Sequence, residues 1–517
     1  MLETTQFLLL GIAAVLGCIV YQGMRRDPRE PPFLPSKFPV IGHLLGMIFQ
    51  GLPYWSRYAN ENTAYPIFSL DMLFMKIYVV TSTEIVRLIQ RNEKTISFDP
   101  LLDVSIRSFS GMKNKRTRNL MLDKDSGGQG LNAEIMHAMT PALIGEPLDR
   151  MNSIMIKTVG EYISKLEQTP SFDLYRWARE MITAASTEAT YGPLNPYRDP
   201  EIVDAFWDFE ENLSSLMPNF LPWLTARRAW NARNKISRAL LKYLQNDGVE
   251  GASELEKIRY KKSMDHGISL EDYAQLEVPM QLAFVSNTVP AVFWTLFDIF
   301  SNPEILEEFR EEIKQNALSI SEDGTHTVNI TAIKERCPFV LSLFQEILRW
   351  RTTTTPTRCV VKDTLIGDKY LLKAGSMISM PGGVIGKRAD VWGDSAGVFD
   401  PRRFIKPDPS SAGPQKKEPR RTGGFMPFGI SPVICPGRHF ASSEVLGIGA
   451  MMVLRYDIAP VGGTWKAPPT DTTSLVSIMG AVRGTFPVNV SAREEYEGVH
   501  WILRCETGKG QFPLAVG

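Results

Sequence analysis

The chain has 517 residues, 44% hydrophobic and 22% charged, a composition that excludes a disordered or fibrous protein. Its 57 basic side chains balance 57 acidic ones, which gives no basis for nucleic acid as a partner. Five scattered cysteines (Cys18, Cys337, Cys359, Cys435 and Cys505) make a secreted disulfide framework unfavourable and point to a reduced, cytosol-facing body.

Residues Phe7 to Tyr21 form an apolar run that approaches the ~20 residues a helix needs to span a bilayer. A cleaved signal peptide competes with that reading; it calls for positive charge before the run and small residues at a cut site after it. Here Glu3 precedes the run and Arg25 and Arg26 follow, an order that favours a retained anchor with the body on the cytosolic side. Residues 1–26 are therefore expected to be an anchor. Five prolines between Asp27 and Pro39 make residues 27–43 a stiff, extended connector. No Ser/Gly-rich linker cuts the remainder, so 44–517 reads as one body.

Leu70–Ser82 is strand-like around Met75–Val80. From about Ala133 onward long helical patterns dominate, which gives a mainly α fold with small β-sheets. Leu216, Met217, Phe220, Leu221 and Trp223, followed by Arg227 and Arg228, suit either a surface dipping into a bilayer interface or core packing. Asp247–Asp272 is charged and is expected to include a solvated surface loop.

Ser269, with Asp272 three residues on, opens a helix expected to run to about Ser301. Pro290 has no N–H for the Ser286 carbonyl and its ring clashes there, so a kink is expected beside Asn287 and Thr288. That polar notch in an apolar helix is costly unless a neighbour, water or a ligand satisfies it. Cys337–Trp350 is a second helix, with Glu346 and Arg349 on one face. Thr352–Pro356 ends it and Cys359-Val360-Val361 begins a strand. Arg358 beside that strand is either solvated, structural or the partner of a carboxylate.

Phe425–Phe440 is a Gly/Pro-rich loop that leads into a buried helix. Cys435 sits where loop becomes helix, and N–H groups there favour a thiolate. Pro436 suits a first helical turn. Such a thiolate ligates a metal, attacks a carbonyl with His439 as base, or packs as a small hydrophobe. With no second cysteine two to four residues away, a zinc knuckle is disfavoured.

Phe428 seven residues before Cys435-Pro436-Gly437-Arg438 resembles the proximal haem loop of the cytochrome P450 family. Ser431 stands where the family usually has glycine, and Val433 where it usually has a basic residue. The other stretches fall in the family's order. The resemblance implies a mainly α P450 fold behind an N-terminal transmembrane helix, with Cys435 as axial ligand of the iron of haem b. Thiolate donation to that iron favours O–O cleavage. Phe428, Arg438 and Arg358 are implied to contact the cofactor, and Glu346, Arg349 and Arg403 (within Phe399–Phe404) to hold the scaffold. The Asn-Thr-Val-Pro-Ala-Val-Phe-Trp run looks most like the branch containing sterol 7α-hydroxylases and prostacyclin synthase. Thr288 matches the family's distal alcohol, and Asn287 stands in place of its acid.

The implied reaction is insertion of one oxygen atom from O2 into a lipophilic terpenoid, steroid or other secondary metabolite. Electrons would come from NADPH-cytochrome P450 reductase at the endoplasmic reticulum membrane, the lipid bilayer being a further partner. Because an amide cannot deliver a proton as an acid does, a redox-independent isomerase or dehydratase is the rival within the fold. A non-catalytic haem sensor is the rival outside enzymes.

Overall fold

Residues 67 to 80 carry β-branched and aromatic side chains, and in the computed structural model they fold as a hairpin of β1 (Ile67–Met72) and β2 (Met75–Val80). The structure describes residues 17, 26–36, 42–51, 53–72, 75–122, 130–353, 355–405, 424–471, 474, 476–508 and 510–512. The expected anchor, apart from Gly17 and Arg26, and part of the proline-rich connector lie outside the described residues.

The single strand expected over Leu70–Ser82 is in fact two. Met75–Val80 is β2, but Leu70–Met72 closes β1, with Leu70 opposite Ile77. Most of β1 is buried on both faces, so no polar alternation marks the turn. β3 (Ile96–Ser97), β4 (Thr357–Val360) and β5 (Met377–Ser379) complete a sheet in the order β1-β2-β5-β4-β3. β5 runs parallel to β2 and the other neighbours are antiparallel. Arg358 lies on β4.

Helices make up most of the remainder. Those that position the site are α1 (Leu174–Tyr191), α2 (Arg227–Gln245), α3 (Glu254–Asp265), α4 (Leu270–Glu277), α5 (Met280–Val285), α6 (Thr288–Phe300), α7 (Pro338–Arg351) and α8 (Arg438–Arg455). Every residue of α6 is buried, as befits a chiefly apolar helix, and it packs against α1, α7 and α8. Among the described residues only the stretch Leu270–Phe300 is long and apolar enough to cross a bilayer; 83% of its most apolar window is buried inside the protein, which marks it as core.

The helix expected from Ser269 to about Ser301 is broken twice. Ser269 does cap it, its hydroxyl accepting the Asp272 N–H at 3.2 Å. The Asp272 carboxylate turns to Thr117 and Asn114 instead, at 2.5 and 2.6 Å. The first break, at Val278–Pro279, follows from Pro279, which has no N–H for the Gln275 carbonyl; Val278 bonds Gln275 in a tighter turn instead. The second, at Ser286–Asn287, is the one Pro290 imposes.

The charged stretch 247–272 does include exposed turns, at Asp247–Gly251 and at Asp265–Gly267, but its middle is the helix α3 rather than loop. Ser253 caps α3 by accepting the Glu256 N–H at 3.3 Å, and Glu256 and Arg259 point inward, both buried. Arg259 is ion-paired to Glu277 on α4, while Tyr273 donates its hydroxyl to Glu256 at 2.9 Å. Two carboxylates share one guanidinium there. Burial, then the nearby Glu277 charge, raise the Glu256 pKa well above the usual carboxylate range.

Another buried acid lies on α8. Glu444 is 1% exposed and receives one hydrogen bond, from the Ser186 hydroxyl at 2.8 Å. Burial pushes its pKa from 4.5 up to about 8. The folded state thus holds a proton that the unfolded chain releases between those values, and stability falls as pH rises through the window. Glu444→Gln is expected to match the parent within about 1 kcal/mol at pH 5 and to exceed it by about 2–4 kcal/mol at pH 8. Urea midpoints at the two pH values check this, and equal differences at both would contradict it.

Candidate active site

Two short strands, β6 (Gly429–Ile430) and β7 (Val433–Ile434), form the hairpin that presents Cys435. Gly429 has φ +85°, and a Cβ there would sit 2.8 Å from the Val433 carbonyl oxygen, so the tight return requires glycine. The Cys435 N–H closes the loop onto the Phe428 carbonyl at 2.8 Å, and Phe428 itself is buried. Phe425 packs with Phe404 at a ring distance of 5.3 Å, fixing the upstream end.

Of the four described cysteines, only Cys435 is exposed. Protein nonetheless encloses it closely enough to raise its thiol pKa through burial, against the Gly437 N–H and the Arg438 charge. This corrects the expectation of a more accessible thiolate: α8 begins at Arg438, three residues after Cys435, and burial outweighs the backbone N–H. A bound metal reverses that balance, because a coordinating thiol is deprotonated outright. Burial also raises the pKa of Cys337, to about 12, and those of Cys359 and Cys505, which leaves them poor nucleophiles or ligands. His439 is no base for Cys435. Its Nδ1 accepts the Phe512 N–H at 2.9 Å, and burial, with the charges of Arg438 and Lys334, pulls its pKa to about 4.

Arg358 is buried against this hairpin. Its guanidinium donates to the carbonyls of Thr357 and Ile430 at 2.9 and 3.2 Å, and among the described residues it stands in no ion pair. Burial lowers its pKa. A guanidinium in that position fits a carboxylate-bearing cofactor, whose propionate would supply the missing charge. Arg438 is only half-buried and donates to the Cys435 carbonyl at 3.1 Å. Among the described residues no three His, Cys, Asp or Glu side chains converge on a bare metal ion. A single thiolate beside an unpaired cation is the donor set a porphyrin-held iron needs.

Behind the hairpin, Glu346, Arg349 and Arg403 come together. Arg349 grips Glu346 with two N–H groups at 2.6 and 2.7 Å and reaches the carbonyls of Gly386 and Ala396. Arg403 Nε donates to the same carboxylate at 3.1 Å, and the Asp400 N–H adds a bond at 2.9 Å. The Glu346 and Arg349 side chains are fully buried and that of Arg403 nearly so.

On α6, the polar notch is satisfied by a neighbour. Asn287 Oδ1 accepts the Ile478 N–H at 2.8 Å. The same loop receives the Trp294 indole N–H at the Gly480 carbonyl and bonds the Thr353 N–H through the Ile478 carbonyl. Sequence reading missed this loop. Thr288 is buried, and its hydroxyl reaches only the Phe284 carbonyl at a long 3.5 Å, so it remains open to a better partner. Asn287→Ala leaves the Ile478 N–H without its acceptor and is expected to cost about 1–3 kcal/mol. Asn287→Asp keeps an acceptor and should cost less; equal urea midpoints for all three proteins would contradict this.

The cytochrome P450 family model matches residues 31–482. The chain is 36% identical to cytochrome P450 monooxygenase nodJ of Hypoxylon pulicicidum, over 99% of this chain and 100% of that protein. It is 29% identical to a cytochrome P450 monooxygenase of Gibberella zeae, over 92% and 91% of the two chains. It is 23% identical to the 7-alpha-hydroxycholest-4-en-3-one 12-alpha-hydroxylase of Oryctolagus cuniculus, over 89% and 93%. With a mainly helical body matched along most of its length, the chain belongs to the cytochrome P450 family and is a haem-thiolate monooxygenase.

Proposed function

We propose that Cys435 ligates the iron of haem b, that Arg358 meets a propionate, and that the substrate is a lipophilic terpenoid, steroid or other secondary metabolite. The observation that carries this is the buried, unpaired guanidinium of Arg358 on the carbonyl of Ile430, within the cysteine hairpin. The bound haem supplies dioxygen activation. The chain's own residues do the rest. Glu346, Arg349 and Arg403 hold the hairpin rigid, and Phe428 closes it. Thr288 offers a hydroxyl to water or to a polar substrate atom. Asn287, its amide oxygen committed to Ile478, positions the neighbouring loop rather than moving a proton.

Residues 1–26 anchor the chain in the endoplasmic reticulum membrane, residues 27–43 act as a stiff hinge, and the body 44–517 faces the cytosol and NADPH-cytochrome P450 reductase. Phe220, Trp223 and Leu224 are 68%, 55% and 70% exposed beside Arg227, a surface suited to a bilayer interface. Reconstitution with terpenoid and steroid candidates tests the reading. Product that requires both NADPH and reductase supports it. Product without them favours the isomerase or dehydratase reading, which the missing acid at Asn287 motivates.

A further inference from the structure

From Met280 to Phe300 the distal stretch is core, yet Met280, Ala283, Phe284 and Asn287 keep accessible surface while every other residue there is buried. Spacings of three and four put these residues on one face. Open space therefore runs along that face and ends at Asn287, the neighbour of Thr288. The segment Val476–Gly480 closes on the same point. Its Ile478 N–H donates to Asn287 Oδ1 at 2.8 Å, which fixes the segment at the end of the open face.

Other bonds hold the segment from behind. The Ile478 carbonyl accepts the Thr353 N–H at 2.8 Å and the Thr353 hydroxyl at 3.3 Å. Met479 forms a β-bridge with Thr352, and the Gly480 carbonyl accepts the Trp294 indole N–H at 2.9 Å. The chain then enters β9 (Ala481–Val482), which pairs antiparallel with β8 (Thr470–Asp471). Burial alternates along the segment: Ser477 and Met479 are buried, whereas Val476 and Ile478 keep accessible surface. That alternation turns Ile478 to the side opposite Met479. Asn287 stands where the family's acid is expected. An amide oxygen accepts a backbone N–H without carrying charge, which suits a tether and does not suit proton delivery.

We propose that Ile478 is a specificity-determining residue whose side chain limits the bulk that can stand beside Thr288, and that Asn287 is the positioning residue that holds it there. The pair selects lipophilic substrates that are slim at the reacting carbon. The amide at position 287 thus replaces the acid with a size limit. This rests on the haem-thiolate reading, which places Thr288 on the distal side of the cofactor.

The test uses full-length holoenzyme and two ligands of haem iron that differ in bulk, imidazole and clotrimazole, each titrated by its difference spectrum. The quantity read is the ratio of the two affinities. Across Ile478→Ala, the unsubstituted enzyme and Ile478→Trp, clotrimazole should lose ground to imidazole stepwise, by about tenfold or more from first to last. Asn287→Leu keeps a branched side chain without an acceptor and should move the ratio by about threefold or more, whereas Asn287→Asp keeps the acceptor and should stay within about twofold. Lost stability alone lowers both affinities together and leaves the ratio in place. A ratio constant across the position-478 series overturns the inference. So does an Asn287→Leu ratio equal to that of the unsubstituted enzyme, or an Asn287→Asp ratio displaced as far as that of Asn287→Leu. If Ile478→Trp loses haem, Ile478→Phe takes its place. The reduced carbon-monoxide spectrum of the same preparations separates the failures: a thiolate-type band with constant ratios removes the size limit alone, and an absent band removes the haem-thiolate reading.

Discussion

Cys435→Ser should abolish monooxygenase turnover while leaving the protein folded. The residue is exposed, so replacing sulfur by oxygen removes little packing. The hydroxyl, however, cannot supply the soft, strongly donating anion that a thiolate gives to haem iron. The backbone that presents the position, from the Gly429 turn to the bond between the Cys435 N–H and the Phe428 carbonyl, does not depend on the sulfur. Turnover with reductase and NADPH is therefore expected to fall to background, and the urea midpoint of the haem-free protein to move by less than about 1 kcal/mol equivalent. Retained turnover would show that another group ligates the cofactor.

Glu346→Ala should cost far more stability than any surface ion pair. The carboxylate accepts buried bonds from Arg349 and part-buried ones from Arg403 and the Asp400 N–H. Its removal leaves the buried Arg349 guanidinium and the largely buried one of Arg403 without their counter-charge, a loss of about 3–5 kcal/mol. Arg402 and Glu308 make a more exposed pair close by, and breaking that one is expected to cost under ~1 kcal/mol. Because Arg349 and Arg403 also hold the carbonyls of Gly386, Ala396, Ser395 and Val398, the support beneath the cysteine hairpin should loosen and haem retention fall. Urea unfolding and the haem-to-protein ratio of Glu346→Ala and Arg402→Ala check the contrast. Full haem occupancy and an unchanged midpoint in Glu346→Ala would contradict the supporting role of the trio.

What was legible in the sequence was what local geometry dictates. Pro290 announced the break before α6, Ser269 its upstream cap, and Pro356 the region where α7 gives way to β4. The loop before Cys435 could be read because Gly429, Pro432 and Pro436 constrain the chain within a few residues of it, but its two short strands could not. The two hidden features of the distal stretch differ in kind. Pro279 was visible but was read through, although it lacks the N–H a helix needs. Ser253 and Glu256 had the spacing of a helix start, and the surrounding charge obscured it. Charge suggested water, whereas Arg259 and Glu277 neutralise each other across elements that only tertiary packing brings together.

Other features had no local signal. Asn287 is satisfied by Ile478, 191 residues away, and nothing near Asn287 foretells that partner. The acidity of Cys435 was misjudged for a related reason. The nearby N–H groups can be read from the sequence, but the burial that outweighs them is supplied by the whole body. Arg358 looks like any other arginine in a string. Only the absence of a carboxylate around it, among the described residues, distinguishes it from Arg310 or Arg455, which meet Asp457 and Glu167.

The reduced, carbon-monoxide difference spectrum of the purified full-length protein tests the central claim most directly. A long-wavelength band of the thiolate type, lost in Cys435→Ser, is the predicted result. A preparation that binds no haem, or one whose band is of the nitrogen-ligand type and unaffected by that substitution, would contradict it.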